Sequence, residues 1–546
     1  MTLPFAPFTN RAGLRGMAAA ADALAAEAAM RILEQGGSGA DAAVAAGTVM
    51  AVVGPHLCGL GGDVLAVVCE PGTRPQGLLA TGRAGSGVDA GRLRAAGHTT
   101  MPLRGDFSSV PVPGAVDGWV ALLERYGRLP VATVLAPAIE LAEEGFAASI
   151  MLSLASHLIH AQPGAQELCP GGRPLEHLQR VRLPGIARTL RAIATEGRDG
   201  FYRGEFGRGL LDVGAGIYAE ADFGTSLADW CEALTVRAWG HDLWTVPPPS
   251  QGYLGLAGAW VAERAGLGDD PDDGDWAHVV VEAARAVGFD RPAVLFDGAD
   301  GNGLLDEERL AAAVARISRD MAAPSDVPGP TPSADATAPR FGDGDTTYLC
   351  AIDADGLGVS LIQSNALDFG SHLLEPNTGV FLHNRGVGFS LEEGHPAELA
   401  PGRRPPHTLS PAAVTRPDGT LSHLIGAMGG DAQPQILFQL FARILCAGQD
   451  PATAVAAPRL ALDAPSAGPF RLWWGDDLAV QVEAHAPEAW VDTLRQRGHQ
   501  VAPIRAFDPT TVGCAQVIAV TTQDDGSHSF LGAADPRSPE GGASGR

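Results

Sequence analysis

A proline-rich break divides this chain into two parts with different secondary-structure signals. Residues 322–345 contain five prolines, at positions 324, 328, 330, 332 and 339, among Gly, Ser and Asp. Because proline lacks a backbone N–H and fixes φ, this composition predicts an exposed, mobile connector rather than a helix or strand. The 546 residues are 45% hydrophobic, which supplies enough apolar side chain for a large globular core.

The part before the connector is predicted to be mainly helical. Met17–Glu34 is an Ala-rich run that ends at Gly36, as is typical of a helix, and a second helix is predicted from about Asp41. More helices are expected within 114–215. The acids and glycines of Asp297–Glu307 do not fall at EF-hand positions, so a turn and a helix cap are predicted there, without a metal.

The part after the connector carries the signals of antiparallel strands. Hairpins are predicted around Asp353–Gly356, Arg416–Gly419 and Asp524–Gly526, with a helix between the last two at about Gln435–Ala447. Helices in one part and hairpins in the other indicate the α+β class, built as a layered sandwich.

The net charge excludes some functions. Asp and Glu number 63 against 38 basic residues, which leaves −25, and all basic residues are arginine. Such a balance argues against a nucleic-acid partner and against attraction to an anionic membrane surface. Arginines are permanently charged and suit bidentate recognition of carboxylates.

The cysteine spacing and the N-terminal residues indicate the cellular compartment that we expect. The seven cysteines are scattered and never in CxxC spacing, so neither a disulfide framework nor a zinc site is predicted. The first 18 residues hold no apolar run of signal-peptide type, and no apolar stretch reaches the length of a membrane span. We therefore expect a cytoplasmic protein.

Common catalytic and nucleotide motifs do not fit. Gly59–Gly62 lacks both GxGxxG and a Walker lysine, and no GxSxG or HExxH occurs. What remains is Thr346-Thr347, a pair of hydroxyls at the predicted start of a strand. On spacing alone this pair is explained by the β propensity of threonine.

Twelve short motifs follow one another along the chain in a characteristic order. They are Gly36–Val44, Gly54–Gly62, Val112–Val116, Tyr126–Pro130, Leu135–Gly145, Phe201–Gly204, Pro247–Gly252, Gly344–Thr347, Pro401–Pro405, Met428–Gly430, Ala457–Arg459 and Ala534–Arg537. In these motifs the chain resembles the γ-glutamyltransferase family of self-processing N-terminal nucleophile hydrolases. The resemblance implies a four-layer αββα sandwich, with no metal or organic cofactor.

The resemblance implies a precursor that cuts itself between Asp345 and Thr346. Residues 1–345 would form a large subunit and residues 346–546 a small one, associated as a heterodimer; whether two heterodimers pair is left open. Cleavage would turn the Thr346 amide into an α-amine, whose reference pKa of about 7.7–8.0 suits a base for the neighbouring hydroxyl.

The same resemblance assigns the supporting catalytic groups. Gly429 and Gly430 match the glycines whose backbone N–H groups bind the oxyanion, with a plain tight turn as the alternative. Ser364 stands where the family usually has a threonine that binds the catalytic amine.

Substrate-binding positions depart from the glutathione-cleaving members. Arg83 matches the carboxylate-binding arginine, with a surface ion pair as its alternative. Gly388 replaces the acid that receives the glutamyl α-amino group, and Arg385 and Ala366 replace its polar neighbours. His407 and Thr408 replace a pair of serines.

With these changes the chain resembles a branch of the family that contains acylase-like and oxamate amidohydrolase-like members. The resulting hypothesis is an amide hydrolase for a small carboxylate-bearing acyl amide, with Arg83 and Arg385 as anion clamps. A true γ-glutamyltransferase or glutathione hydrolase is one alternative, and an unprocessed, noncatalytic scaffold is another.

Overall fold

The computed structural model describes residues 9–323, 346–463, 478–523 and 525–546. Asp345 and most of the predicted connector lie outside these residues. The strands are β1 Arg11–Gly13, β2 Gly16–Ala20, β3 Asp63–Cys69, β4 Gln76–Ala80, β5 Phe146–Ala147, β6 Arg180–Val181, β7 Asp229–Glu232, β8 Leu234–Ala238, β9 His241–Thr245, β10 Thr346–Asp353, β11 Gly358–Ser364, β12 Leu374–Glu375, β13 Val380–Phe381, β14 Ala412–Thr415, β15 Leu421–Ala427, β16 Leu460–Asp463, β17 Ala479–Glu483, β18 Val501–Ile504, β19 Ala515–Thr522, β20 His528–Ala534 and β21 Gly542–Gly545.

Helices precede and follow these strands throughout the chain. They are α1 Ala23–Glu34, α2 Gly39–Val53, α3 Ala90–Ala95, α4 Ala115–Tyr126, α5 Val131–Glu144, α6 Ile150–Ala155, α7 Pro184–Glu196, α8 Arg198–Tyr202, α9 Glu205–Val213, α10 Tyr253–Arg264, α11 Gly274–Gly288, α12 Arg291–Val294, α13 Gly301–Leu304, α14 Glu307–Val314, α15 Gln433–Phe441, α16 Pro451–Ala456, α17 Glu488–Gln496 and α18 Pro509–Val512.

Two seven-stranded antiparallel sheets form the centre of the molecule. The front sheet has the order β21-β2-β10-β11-β3-β4-β7, and the back sheet has the order β1-β20-β19-β15-β14-β9-β8. Each sheet contains strands from before residue 323 and strands from after residue 346. The connector therefore does not separate two independent folding units.

Three layers of apolar side chains hold the helices and sheets together. One layer joins the outer face of the front sheet to the helices near it, including the fully buried α2. A second joins the outer face of the back sheet to α10, α11 and α15. The third lies between the sheets and includes Tyr348, Ile362 and Leu424. This order is the four-layer αββα sandwich, which confirms the predicted fold.

One predicted helix begins later than expected. The first four residues of the Ala-rich run at Met17–Glu34 belong to strand β2, which pairs with β10 and β21, and the helix begins only at Ala23. Asp22 caps that helix by accepting a hydrogen bond from the Leu24 N–H. Alanine has a strong helix propensity, but pairing inside a buried sheet overrides it here.

The predicted hairpin after the connector is confirmed. Strands β10 and β11 pair in the antiparallel sense, and the turn lies at 354–357. In the described residues no helix combines the length and the apolar character needed to cross a membrane.

Candidate active site

The two hydroxyls predicted to carry and support the nucleophile lie side by side. Thr346 opens β10, Ser364 closes β11, and the strand register places them directly opposite each other. Their hydroxyl oxygens are 3.0 Å apart, and both residues are buried. Ser364 Oγ also accepts a hydrogen bond of 2.8 Å from the Ala366 N–H. This second bond fixes the serine hydroxyl beside the threonine.

Asp63 extends the same row by one strand, and the sequence analysis missed it. It opens β3 and lies opposite Ser364 in the register. Side chains at directly opposed positions project to the same face, about 5 Å apart. Thr346, Ser364 and Asp63 therefore all face the space between the two sheets. The available signal was a carboxylate at the start of an otherwise apolar strand, right after the Gly59–Gly62 turn.

Three of the predicted substrate-binding residues converge on this carboxylate. Asp63 Oδ2 accepts hydrogen bonds of 2.9 Å from Arg385 Nε and 2.9 Å from His407 Nε2. Arg385 Nη1 in turn donates to the Thr408 hydroxyl at 3.0 Å. His383 Nδ1 lies 3.3 Å from the same Asp63 oxygen. We call these five residues the Asp63 cluster.

Burial and the contacts among these residues determine the charge states of Asp63 and His407. Burial by itself would raise the pKa of Asp63, but Arg385 and the two histidines outweigh burial and hold this pKa well below its usual range. Burial and the nearby Arg385 lower the pKa of His407 to about 4. His407 is therefore neutral at pH 7. Its Nδ1 accepts from the Leu409 N–H, which leaves Nε2 to donate to Asp63.

Two buried atoms of the cluster lack a hydrogen-bond partner in the described part of the chain. They are the Nη2 donor of Arg385 and the Oδ1 acceptor of Asp63. Arg385 is 1% exposed, so bulk water does not satisfy this donor. Unpaired buried polar atoms cost free energy and are common where a ligand completes the hydrogen bonding.

The glycine pair predicted to bind the oxyanion lies at the same end of the sandwich. A Cβ on Gly426 of β15 would lie 2.1 Å from the Tyr348 ring, so the C-terminal end of β15 covers the start of β10. That strand leads directly into Gly429 and Gly430, which have φ values of 144° and 53°. These are values that glycine adopts readily, and both residues are in a tight turn.

One glutamine links this turn to the Asp63 cluster. Gln251 Nε2 donates to the carbonyl oxygens of Gly430 at 3.0 Å and of Thr408 at 3.1 Å. Gln251 is fully buried. The predicted oxyanion turn and three of the four predicted substrate-binding residues, Arg385, His407 and Thr408, therefore belong to one connected hydrogen-bond network.

The backbone around Gly388 is closely packed. Gly388 ends a short 3₁₀ helix over Arg385–Gly388, and a Cβ added there would lie 2.6 Å from the Pro406 carbonyl oxygen. No side chain fits at residue 388 unless the backbone moves. A carboxylate side chain at this position, which the resemblance matches to the acid of the glutathione-cleaving members, would therefore need a shift of the backbone.

Arg83 belongs to a second group of charges. It follows β4 and pairs with Asp229 at 3.3 Å and Asp297 at 3.7 Å. Arg404 contacts the same two carboxylates. Two arginines and two aspartates balance each other, and the Arg83 side chain is 36% exposed. The structure thus shows Arg83 in ion pairs near the surface, and its role in binding a carboxylate stays a prediction.

Known proteins share both the fold and the arrangement of the chain. Residues 25–545 match the family described as gamma-glutamyltranspeptidase. The chain is 35% identical to the oxamate amidohydrolase proenzyme of Klebsiella pneumoniae subsp. pneumoniae, over 97% of this chain and 98% of that protein. It is 32% identical to the glutathione hydrolase-like YwrD proenzyme of Bacillus subtilis, over 96% and 97%.

Solved structures agree with this assignment. The cephalosporin acylase from Bacillus halodurans superposes with a TM-score of 0.87 at 29% identity, over 100% of this chain and 98% of that one. The sandwich defines an enzyme of the N-terminal nucleophile hydrolase class. Within that class, the chain belongs to the γ-glutamyltranspeptidase family.

Proposed function

We propose that this protein is a self-processing amide hydrolase with Thr346 as its nucleophile. The observation that carries the proposal is the 3.0 Å contact between the Thr346 and Ser364 hydroxyls at the start of a buried strand. The peptide bond before Thr346 is the one whose cleavage would create an α-amine beside that hydroxyl. An amine of ordinary pKa, about 8, can accept the hydroxyl proton at neutral pH.

The reaction then follows the chemistry of acyl transfer. Thr346 Oγ1 attacks the substrate carbonyl carbon, the hydroxyl proton passes to the α-amine, and the oxyanion is stabilised by backbone N–H groups of the Gly429–Gly430 turn. Collapse of the tetrahedral intermediate breaks the C–N bond, and the amine base returns its proton to the leaving nitrogen. Water then attacks the ester of Thr346 and releases the acid.

The two fragments produced by cleavage are expected to stay together. In the front sheet, strands β10 and β11 of the second fragment lie side by side between β2 and β3 of the first fragment. The back sheet is likewise made from both fragments. Separating them would expose two broken sheets and all three apolar layers, so a stable heterodimer is expected.

The substrate that we propose is a small acyl amide with a carboxylate at its far end. Arg385 Nη2 supplies a buried, unpartnered donor for that carboxylate. The tight packing at Gly388 disfavours a γ-glutamyl group, because its ammonium would have no carboxylate to meet there. The names of two relatives, an oxamate amidohydrolase and a cephalosporin acylase, support an amide of this kind.

Intact-mass measurement of wild type beside Thr346→Ala tests processing. The wild type is expected to give two fragments that meet between residues 345 and 346 and that co-purify, whereas the variant remains one chain without turnover. Loss of the nucleophile should reduce kcat by at least about 10³-fold. A single uncut wild-type chain would favour the noncatalytic scaffold.

A substrate screen tests the acyl specificity. The processed enzyme should release 4-nitroaniline from the monoanilides of oxalic, succinic or glutaric acid faster than from the γ-glutamyl anilide. Glutathione hydrolysis at the higher rate would instead identify a γ-glutamyltransferase, and the argument from Gly388 would then be wrong.

A further inference from the structure

A small cavity lies on the flank of the front sheet away from Asp63. Its volume is about 50 Å³, which is room for a group of a few heavy atoms. Strand β10 lies between β2 and β11, and β3 with Asp63 lies beyond β11. Ala21 and Asp22, which follow β2, line the cavity and continue toward the end of β10 that begins with Thr346. The cavity and Asp63 are therefore on opposite sides of the nucleophile strand.

The walls of this cavity are linked to the other groups of the candidate active site. Met428 lines the cavity and directly precedes the Gly429–Gly430 turn. Leu57 is another wall residue, and its carbonyl oxygen accepts a hydrogen bond of 3.0 Å from the Asn365 N–H. Asn365 is the residue after Ser364. The cavity is thus next to the oxyanion turn and to the serine strand.

The direction of the leaving group follows from the other bonds of the reacting carbon. In the proposed tetrahedral intermediate this carbon is bonded to Thr346 Oγ1, the oxyanion, the acyl chain and the leaving nitrogen. The oxyanion is held at the Gly429–Gly430 turn, and the acyl chain extends toward Arg385 in the Asp63 cluster. The leaving nitrogen is therefore on the side away from Asp63, which is the side of the cavity.

The cavity is acidic. Asp22 and Glu540 both line it, and neither forms an ion pair within the described residues. Arg537 lines it as well, but its guanidinium already donates hydrogen bonds to Glu483 and Asp535. Burial raises the pKa of Asp22 to about 6, and the neighbouring charge of Glu540 adds to this rise. Two carboxylates without a cation between them favour a positively charged ligand.

His56 adds an unused hydrogen-bonding group to the cavity. It lines the cavity, is 4% exposed, and has no partner for either ring nitrogen among the described residues. Burial lowers the pKa of His56 to about 4, so its ring is neutral at pH 7 and keeps one nitrogen as an acceptor. A buried acceptor without a donor costs free energy, and an N–H group of a ligand would remove that cost. Met50 and Val53 supply an apolar wall for methylene groups.

We propose that this cavity binds the amine part of the substrate and selects amines that carry a second, positively charged amino group. The inference rests on the proposed function and adds the chemical class of its leaving group. The distal ammonium pairs with Asp22 and Glu540 and donates to the His56 ring. A leaving group that ends in a carboxylate is repelled by the same two acids.

A matched pair of amides isolates the charge of the leaving group. The succinic acid monoamides of 1,4-diaminobutane and of pentylamine have chains of equal length, and they end in an ammonium and a methyl group respectively. Their acyl parts are identical, so the contribution of the Asp63 cluster cancels in the ratio of their kcat/KM values. At about pH 7.5 and low salt, we expect the aminobutyl amide to release succinate about tenfold faster, because an ion pair forms only with that amide.

Two variants in the cavity test the source of this preference. Asp22→Asn removes a carboxylate and keeps a good N-cap for α1, and the ratio should fall by about tenfold. Glu540→Gln should lower the ratio in the same direction. Glu124→Gln, at an exposed position of α4 outside the cavity, is the control and should keep the wild-type ratio. A merely structural disturbance slows both amides and leaves their ratio unchanged. Self-processing, followed by intact mass, reports whether each variant has folded.

The outcomes separate this inference from the proposed function. If the processed enzyme cleaves neither amide and no carboxylated anilide, the proposed function fails. If carboxylated anilides are cleaved but the aminobutyl amide is not the faster of the two amides, the cavity does not select a cationic leaving group. The same conclusion follows if Asp22→Asn and Glu540→Gln both keep the wild-type ratio.

Discussion

The Ser364 hydroxyl contacts the Thr346 hydroxyl, so loss of the serine hydroxyl should mainly slow the chemical step. Ser364→Ala removes the 3.0 Å contact with Thr346 and the bond from Ala366. Loss of one buried hydrogen bond is worth about 1–3 kcal/mol, so kcat should fall by about 10- to 100-fold. Steady-state kinetics on a carboxylated anilide measures this.

Ser364→Thr is the matched control, because it keeps the hydroxyl. It should retain activity within about threefold if the hydroxyl alone matters. If Ser364→Ala were as active as wild type, the contact with Thr346 would have no role in positioning the nucleophile.

The residues of the Asp63 cluster differ in how far the sequence alone identifies them. Arg385, His407 and Thr408 stand at positions that the family resemblance assigns to substrate binding, and the structure brings them together around one carboxylate. Asp63 carries no motif signal of its own beyond its place at the start of a strand. Its importance follows from three partners that are more than 300 residues away in the chain.

At the scale of elements, the contact between β10 and β15 sets the distance between the nucleophile strand and the oxyanion turn. The Tyr348 ring occupies the space that a side chain at Gly426 would need, at 2.1 Å from an added Cβ. Gly426→Ala should therefore push Tyr348 aside and destabilise the protein by about 1–3 kcal/mol. Because Tyr348 is two residues from Thr346, kcat should fall as well.

Gly268→Ala is the control for that substitution, since a Cβ at Gly268 has open space around it. Urea unfolding and kinetics of the two variants should differ clearly, with Gly268→Ala close to wild type. Equal stability of both variants would show that the sheets are not closely packed at this point.

At the scale of the whole molecule, buried histidines should make the fold sensitive to acid. Burial lowers the pKa to about 4 for His56 and His407, and to about 3 for His423 and His499. An unfolded histidine takes its proton near pH 6.5, so between about pH 6.5 and pH 4 the unfolded chain binds more protons. The free energy of unfolding should therefore fall as the pH is lowered through this window.

Asp22 partly opposes this trend. Burial raises its pKa to about 6, so its contribution to stability is present at low pH and is lost as the pH rises through 6. Burial also raises the pKa of Asp117, Glu167 and Asp353, which act in the same direction as Asp22. The histidines, each worth up to about 1.4 kcal/mol per pH unit, act in the opposite direction together with Asp63 and Asp535, whose pKa is lowered. Urea unfolding of the uncut Thr346→Ala chain at pH 7 and pH 5 measures the net change.

Single variants assign the effect to individual rings. His56→Leu removes a buried imidazole whose two nitrogens lack partners in the described residues, and it should reduce the dependence on pH. His98→Gln, at an exposed position, should leave the dependence unchanged. A stability independent of pH between 7 and 5 in the parent chain would contradict the account.

The sequence by itself indicated the family through its ordered motifs, and that resemblance implied the four-layer fold. The hairpin after the connector and several helix ends follow from local signals, because glycine turns, helix caps and alternating apolar residues act over a few positions. Asp300 and Asp306 illustrate this, since they cap α13 and α14 where a turn and a cap were predicted.

Tertiary structure decided the rest. Strand β2 forms from an alanine run because β10 and β21 offer backbone partners on both sides, and this pairing outweighs helix propensity. The Asp63 cluster exists because three distant segments bury their polar groups together. Burial makes each charge depend on its neighbours, and those neighbours are brought close only when the chain has folded.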